Sequence, residues 1–365
     1  MFDHHLEVLL ERVSAAQLPC QGDLESLLGV ADDRQIARIF AFADSVRKQY
    51  MGDGVLLRGL IEFSNHCRNS CAYCGLNKSN KSLQRYRLTD DEILASAALI
   101  ASQRIKTIVI QSGEDEELDV QKFAETIRRI KTRYDMAITL SLGERSTDEY
   151  RLWREAGADR YLLKIETSDK ALYESLHPEM SFETRLRCLD DLRMLGYQVG
   201  SGCLVGLKGQ TIASLAADII FFARRQLEMI GIGPFIPHVK TELASQPTGN
   251  VQLTLKVIAL TRIVVKDAHI PGTTALGSIG PGDGRVDALR AGANVLMPNF
   301  TPLPYRQLYD IYPGKRCITE APGACAFCMD AMVASIGRTI DHSRGDSPRF
   351  VRTPSLDAAN IVRND

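Results

Sequence analysis

Residues 55–74 read VLLRGLIEFSNHCRNSCAYC, an apolar run that ends in three cysteines. Val55 to Phe63 has the composition of a buried strand, and Cys67, Cys71 and Cys74 follow it at x-x-x and x-x spacing. Further β-rich runs recur downstream, each followed by an amphipathic stretch of helix length. They are Thr107 to Ser112, Met136 to Leu142, Arg160 to Glu166, Tyr197 to Leu207, Met229 to Pro237, Thr273 to Ile279 and Asn294 to Pro298. Thr89-x-x-Glu92 and Ser146-x-x-Glu149 are capping boxes, in which each side chain satisfies a free N–H at a helix entrance. Eight strand-helix units over about 240 residues predict an α/β fold, a closed parallel (β/α)8 barrel of TIM type. A doubly wound open sheet is the alternative. Apolar positions at helical spacing through Leu6, Leu9, Leu10 and Val13, and again from Ile36 to Val46, predict an N-terminal helical cap. The expected division is 1–54 for the cap, 55–312 for the barrel and 313–365 for a C-terminal extension. The polar residues after Gly337 predict a loosely packed tail.

Composition narrows the function classes. Hydrophobic residues make up 45% of the chain and charged ones 24%, which is globular rather than disordered. A net charge of -1 supplies no field for gripping nucleic acid. No apolar run approaches a membrane span, and the start of the chain, with His4, His5, Glu7, Glu11 and Arg12, has no signal-peptide core, so a cytoplasmic protein is expected. The nine cysteines are an odd count without a secretion signal, which favours metal or redox chemistry over a disulfide framework. One group is Cys67, Cys71 and Cys74; a second is Cys317, Cys325 and Cys328. Cys20, Cys188 and Cys203 are scattered, and the first two read as small core residues.

Three thiolates within eight residues, at the C-terminal end of a barrel strand, can hold three corners of an iron-sulfur cubane. The missing fourth ligand leaves one iron open to chelate a small molecule. A structural zinc site, completed by His66 or a remote residue, is the alternative, although zinc usually takes two separated pairs.

Cys67-Arg68-Asn69-Ser70-Cys71-Ala72-Tyr73-Cys74, with an aromatic residue before the last cysteine, resembles the signature of the radical S-adenosylmethionine (SAM) enzymes. That resemblance implies a 4Fe-4S cluster on Cys67, Cys71 and Cys74, and SAM on its open iron, cleaved by one electron to methionine and a 5′-deoxyadenosyl radical. Ser112-Gly113-Glu114 resembles the family's Gly-Gly-Glu-like segment for the SAM amino group. Glu166, at the end of the fourth strand, is the implied acceptor for the ribose hydroxyls, and a helix cap is the plainer reading. Arg185 is the implied clamp on the methionine carboxylate; from sequence alone it reads as a surface salt bridge. Ile232, in Gly231-Ile232-Gly233-Pro234-Phe235, offers an apolar edge to adenine, with Tyr73 beside the cluster.

A closer resemblance runs from about residue 30 to 335. Ile61 to Asn65, Arg85-Tyr86-Arg87, Gln111 to Asp115, Ser141 to Glu144, Gly231 to His238, Thr273-Thr274 and Pro298 to Tyr309 together look like the HydE family of hydrogenase maturases. Biotin synthase and methylornithine synthase are similar in length and fold. The HydE resemblance implies a small iron complex carrying cysteine, CO and cyanide as substrate, attacked at the cysteine sulfur. It also implies HydG and HydF as companion maturases and a protein reductant. The positions matching that family's cavity are Gln111, Thr139, Arg160, Met229, Thr273, Thr274, Met297 and Tyr309. Met229 and Met297 read equally as core, and Thr139 as a residue satisfying a strand carbonyl. Arg160, pointing into a barrel, must be paired or bind an anion.

Two positions depart from the family. Lys164-Ile165 stands where Arg followed by His or Ile is common, which exchanges a fork for a point charge. Lys208 stands where proline is common. Cys317, Cys325 and Cys328 suit a second iron-sulfur cluster, as in a subset of the family, with a zinc knuckle or unpaired thiols as alternatives. Cys203, on the fifth strand, is the feature a biotin-synthase-like reading would use. Another radical SAM enzyme and an iron-sulfur electron carrier are the competing functional readings.

Overall fold

The apolar run after Gly54 does form β-structure, but Arg58 splits it in two. In the computed structural model, which describes residues 2–280, 282–320 and 324–350, β1 is Gly54–Leu57 and β2 is Gly59–Ser64. Then follow β3 Thr107–Ser112, β4 Ala137–Ser141, β5 Arg160–Leu162, β6 Gln198–Ser201, β7 Leu204–Val205, β8 Met229–Ile230, β9 Gly233–Pro234, β10 Val295–Leu296 and β11 Thr339–Asp341. A six-stranded parallel sheet runs β2-β3-β4-β5-β6-β8. β1 lies between β10 and β11 in a three-stranded sheet, and β7 pairs with β9.

β3 shows why these residues form this sheet. Its sequence TIVIQS is β-branched, and parallel register places Ile61 beside Ile110 on one edge and Val109 beside Thr139 on the other. Both faces are covered, so β2 is buried along its whole length. Parallel neighbours need crossover helices. Asp90–Ser102, Val120–Arg133, Thr147–Glu155 and Ile212–Arg224 are four of them. The Thr89 and Ser146 capping boxes form as the sequence predicts. Val120–Arg133 buries Phe123, Ile127 and Ile130, the stripe its spacing dictates. Helices Phe2–Ala15, Gln21–Leu28 and Asp33–Met51 pack on one another and on Ile212–Arg224 and Val251–Val264. Beyond the named strands, single parallel bridges join Met229 to His269, Pro271 to Val295 and Leu60 to Asn299.

Two expectations are corrected. The strand predicted over Thr273 to Ile279 is absent: Thr274–Gly277 is a helical turn, and the parallel bridges are made earlier, at His269 and Pro271. Pro271-Gly272 ends the extended segment, and Thr273 becomes an extended residue at a helix entrance. The tail is not loosely packed as far as residue 350. β11 pairs with β1, and Ser347 is buried. Two of the tail's polar residues meet buried polar partners. Arg160, wholly buried, donates to the Arg344 carbonyl and to Asp346 Oδ1, both at 2.7 Å. Gln198 Nε2 donates to the same carboxylate at 2.9 Å, and Thr107 Oγ1 to the Arg344 carbonyl at 2.8 Å.

Arg160 begins β5 and Thr107 begins β3, so this polar plug fills the N-terminal end of the sheet. Removing the Asp346 carboxylate strands a buried guanidinium. Asp346→Ala is expected to lower the unfolding free energy in urea by about 2 kcal/mol. Arg160→Met in the same background should restore part of it, since the uncompensated charge is gone.

Candidate active site

The cysteine loop leaves β2 and is fastened from below by β3. Gly113 donates its N–H to the Ser64 carbonyl at 3.0 Å and lies flat against the loop. A Cβ built on it would stand 2.2 Å from the His66 carbonyl oxygen and 2.9 Å from Cys67 Cβ, so only glycine fits. Glu114 donates its N–H to Cys67 Sγ at 3.4 Å, and its carboxylate accepts from Arg68 Nε at 2.7 Å. On the far side Ala72 donates to the Leu176 carbonyl at 2.9 Å. Arg85 ties the loop's exit, donating to the Leu76 and Asn77 carbonyls at 2.9 and 2.8 Å.

Burial pushes all three thiols up, Cys74 to about 12, and the neighbouring thiolates add to it at Cys71 and Cys74. Three such groups ionise together only against a cationic centre. Among the described residues no three His, Cys, Asp or Glu side chains are arranged to hold a single metal ion. Three thiols that feel one another's charge fit a shared inorganic unit, one cysteine to each of three corners.

A cavity of about 360 Å³ opens beside the loop. Cys67, Cys74, Tyr73, Ser112, Gly113 and Glu166 line one part of it. Gln111, Thr273, Thr274, Met297 and Tyr309 line it too, and Gln111 Nε2 donates to Tyr309 Oη at 3.1 Å. Glu166 adopts φ 63°, the left-handed region, rare for a side chain of its size, and Lys164 Nζ stands 2.8 Å from its Oε2.

The other predicted positions lie off the lining. Cys71 and Glu114 are not among the lining residues, and Ile232 is buried between lining residues Gly231 and Gly233. Arg185 is not on the surface: it is buried, donates Nε to Glu144 Oε1 at 2.7 Å and Nη1 to the Lys164 carbonyl, and stacks over Tyr173. Thr139, Arg160 and Met229 belong to the opposite end. Arg160 is taken by the tail, and Met229 Sδ accepts from Arg58 Nη1 at 2.9 Å. Arg160 and Met229 open their strands and Thr139 pairs beside Arg160, whereas the cavity lies where strands end, which is why the three fall outside it. Cys317 reaches the cavity lining, Cys328 is exposed, and the side chain of Cys325 lies outside the described residues. Cys203 is fully buried and off the lining. Sequence reasoning missed Glu62, Asn299 and Lys315, all on the lining. A lone carboxylate inside the apolar run before the cysteines was the available signal for Glu62.

A model of the radical SAM superfamily matches residues 61–221. The FeFe hydrogenase maturase subunit HydE of Thermotoga maritima is 48% identical over 330 residues, 90% of this chain and 94% of its own length. The chain belongs to the radical SAM superfamily. Its enzymatic class follows, and membership implies a 4Fe-4S cluster and SAM. A 3-methylornithine synthase of Methanosarcina acetivorans is 31% identical over 75% of this chain and 77% of its own. The crystal structure of methylornithine synthase (PylB) matches with TM-score 0.81 at 27% identity, covering 91% of this chain and 97% of that one. A crystal structure of HydG, at 18% identity and TM-score 0.78, shares the radical SAM fold.

Behind Glu166, Asp218 accepts from the Ser168 N–H and hydroxyl at 2.5 and 2.7 Å, fixing the chain that leaves the strained residue. Burial pushes the Asp218 carboxyl up to about 7. The folded chain then holds a proton that the unfolded chain releases, so this group's contribution makes stability fall as pH rises from about 4 towards 7. Urea unfolding at pH 5 and pH 7.5 should show the parent losing about 2 kcal/mol more than Asp218→Asn over that interval.

Proposed function

We propose that this radical SAM enzyme is a HydE-type maturase, acting on a small cysteine-bearing iron complex within the cavity. The carrying observation is that one cavity joins the cysteine loop, Gly113 and Glu166 to Gln111, Thr273, Thr274, Met297 and Tyr309. Identity to a HydE over nine-tenths of the chain supports the same reading. On this reading HydG would supply the complex and HydF accept the product, with a reductant protein as electron donor. We place the enzyme in the cytoplasm; no helix among the described residues is long and apolar enough to cross a membrane.

The architecture that serves this chemistry is a closed eight-stranded barrel, supported by the bridges from Met229 to His269, Pro271 to Val295 and Leu60 to Asn299, which continue the parallel pairing from β8 back to β2. The N-terminal helices cap it, and the segment from 313 extends it.

Cys67, Cys71 and Cys74 would hold the cluster. When bound, cluster and SAM supply an electron and a 5′-deoxyadenosyl radical. Ser112, Gly113 and Glu114 present backbone groups beside Cys67 to the amino group of SAM, Glu166 takes the ribose hydroxyls, and Tyr73 and Ile232 flank the adenine. Arg185 acts one layer back, holding Glu144 and the Lys164 carbonyl. Gln111 and Tyr309 fix each other across the substrate side. Thr139, Arg160 and Met229 support the barrel from its far end rather than touching substrate. Cys317, with Cys325 and Cys328, would carry a second iron-sulfur cluster at the rim. Burial of Cys203 away from the cavity gives a biotin-synthase-type reading no foothold.

Anaerobically reconstituted enzyme with reductant should cleave SAM to 5′-deoxyadenosine, and Cys71→Ala should abolish both this and the cluster's electron paramagnetic resonance signal. Expression in a HydE-deficient host should restore hydrogenase activity. Biotin formation from dethiobiotin without such rescue would sink the maturase assignment.

A further inference from the structure

One ion pair inside the cavity is unexplained by folding or by the SAM site. Glu62, 1% exposed near the end of β2, accepts from Lys315 Nζ through Oε1 and from Asn299 Nδ2 at 2.9 Å through Oε2. Lys315 comes from a segment that crosses the cavity mouth. Ile311 in that segment accepts from Gly75 N–H at 3.1 Å, and Arg306 holds the Cys317 and Glu320 carbonyls at 3.1 and 2.8 Å. Desolvating two charges offsets most of their attraction, so an ion pair this buried is poorly explained as a stabilising contact.

We propose that Lys315 is the receptor for a carboxylate on the small molecule that fills the cavity, with Glu62 as the counter-charge it exchanges for that group. This rests on the reading of the cavity as the substrate chamber. An ammonium has three donors. Glu62 takes one and the Tyr309 carbonyl, at 3.4 Å, another, while the Tyr309 ring lies 5.0 Å from Nζ and holds the charge over the lining. The chamber's other lining cations, Lys164, Arg285 and Arg316, are held by partners of their own, Arg316 by the Gly282 carbonyl at 3.1 Å. Lys164 is the ion-pair partner of Glu166, whose Oε2 has no hydrogen bond of its own. Arg285 is forked onto Asp283 two residues away, at 2.9 and 2.6 Å. Glu62 keeps a second donor, Asn299, when its cation swings to a ligand. On the same lining, Thr273 Oγ1 is buried without a hydrogen-bond partner, a second group open to a polar ligand.

The test is calorimetric titration of cluster-loaded, unreduced enzyme with SAM bound, using S-methyl-L-cysteine, its methyl ester and the amine-free 3-(methylthio)propionate. Both carboxylates should bind and the ester should not. Lys315→Met should weaken both carboxylates by about tenfold or more, and Lys315→Arg by no more than about threefold. Glu62→Gln should tighten them, because the competing charge is gone. If Lys315→Met and Glu62→Gln weaken binding alike, the pair is only a latch on the segment and the receptor is refuted. Unchanged affinity in Lys315→Met, or no carboxylate binding by the parent enzyme, refutes it as well. Lys315-dependent binding of 3-(methylthio)propionate with refusal of S-methyl-L-cysteine would keep the receptor and overturn the cysteine-bearing substrate instead.

Discussion

Three half-buried thiols in the loop after one strand are an electrostatic problem that shapes the whole upper half of the molecule. Burial and mutual repulsion hold them protonated in the bare chain, so the loop has to be kept open by contacts that owe nothing to a metal. Those contacts are backbone ones: Gly113 against His66, Glu114 N–H on Cys67, Leu176 on Ala72, and Arg85 on the exit carbonyls. They come from strand ends and a helix end that parallel pairing brings to one side. The loop's shape therefore depends on the register of β2 against β3. A slip of one residue would take Gly113 from under Cys67 and put a side chain there.

The two ends of the sheet handle charge in different ways. At the N-terminal end Arg58, Arg160 and His269 are enclosed, and the tail supplies Asp346 and several carbonyls to Arg160 and its neighbours. Burial and the nearby arginines push His269 well down, so it is neutral and adds no further charge. At the C-terminal end the charges face the chamber: Glu62 with Lys315, Lys164 with Glu166. Arg160 satisfies the rule that an inward arginine must be paired or bind an anion, but its anion is part of the chain. Cationic character alone does not mark a ligand site; the end of the strand on which it stands decides.

What was legible in the sequence was local. The cysteine spacing, the glycine after β3 and the capping boxes are short-range patterns whose meaning follows from a few neighbouring residues, and the structure sets them where expected. Periodicity also placed most strands, because parallel strands buried on both faces read as apolar runs. The misses are long-range. Arg185 reads as a surface residue because Glu144 and Tyr173, its partners, lie on other elements. Lys315 and Glu62 are invisible as a pair because 253 positions separate them. The strand expected at Thr273 failed for a different reason: Pro271-Gly272 ends the extended segment before the β-branched Thr273-Thr274, and the single bridges at His269 and Pro271 make the pairing.

Lys164 shows how one departure from the family changes local physics. An arginine at this position could engage a carboxylate with two parallel donors, whereas an ammonium holds a single point of contact and turns freely about it. Here that contact is with Glu166, on a backbone bent into the left-handed region. Such a bend costs free energy unless the surroundings over-determine it. The Glu166 N–H donates to the Gly202 carbonyl and its carbonyl accepts from Leu204, both at 3.0 Å, so two backbone hydrogen bonds hold the bend without the side chain. The carboxylate is thus aimed by the backbone and only neutralised by Lys164. The loss of a fork therefore removes a second donor at this corner but keeps the charge, and it does not release the residue proposed to take the ribose.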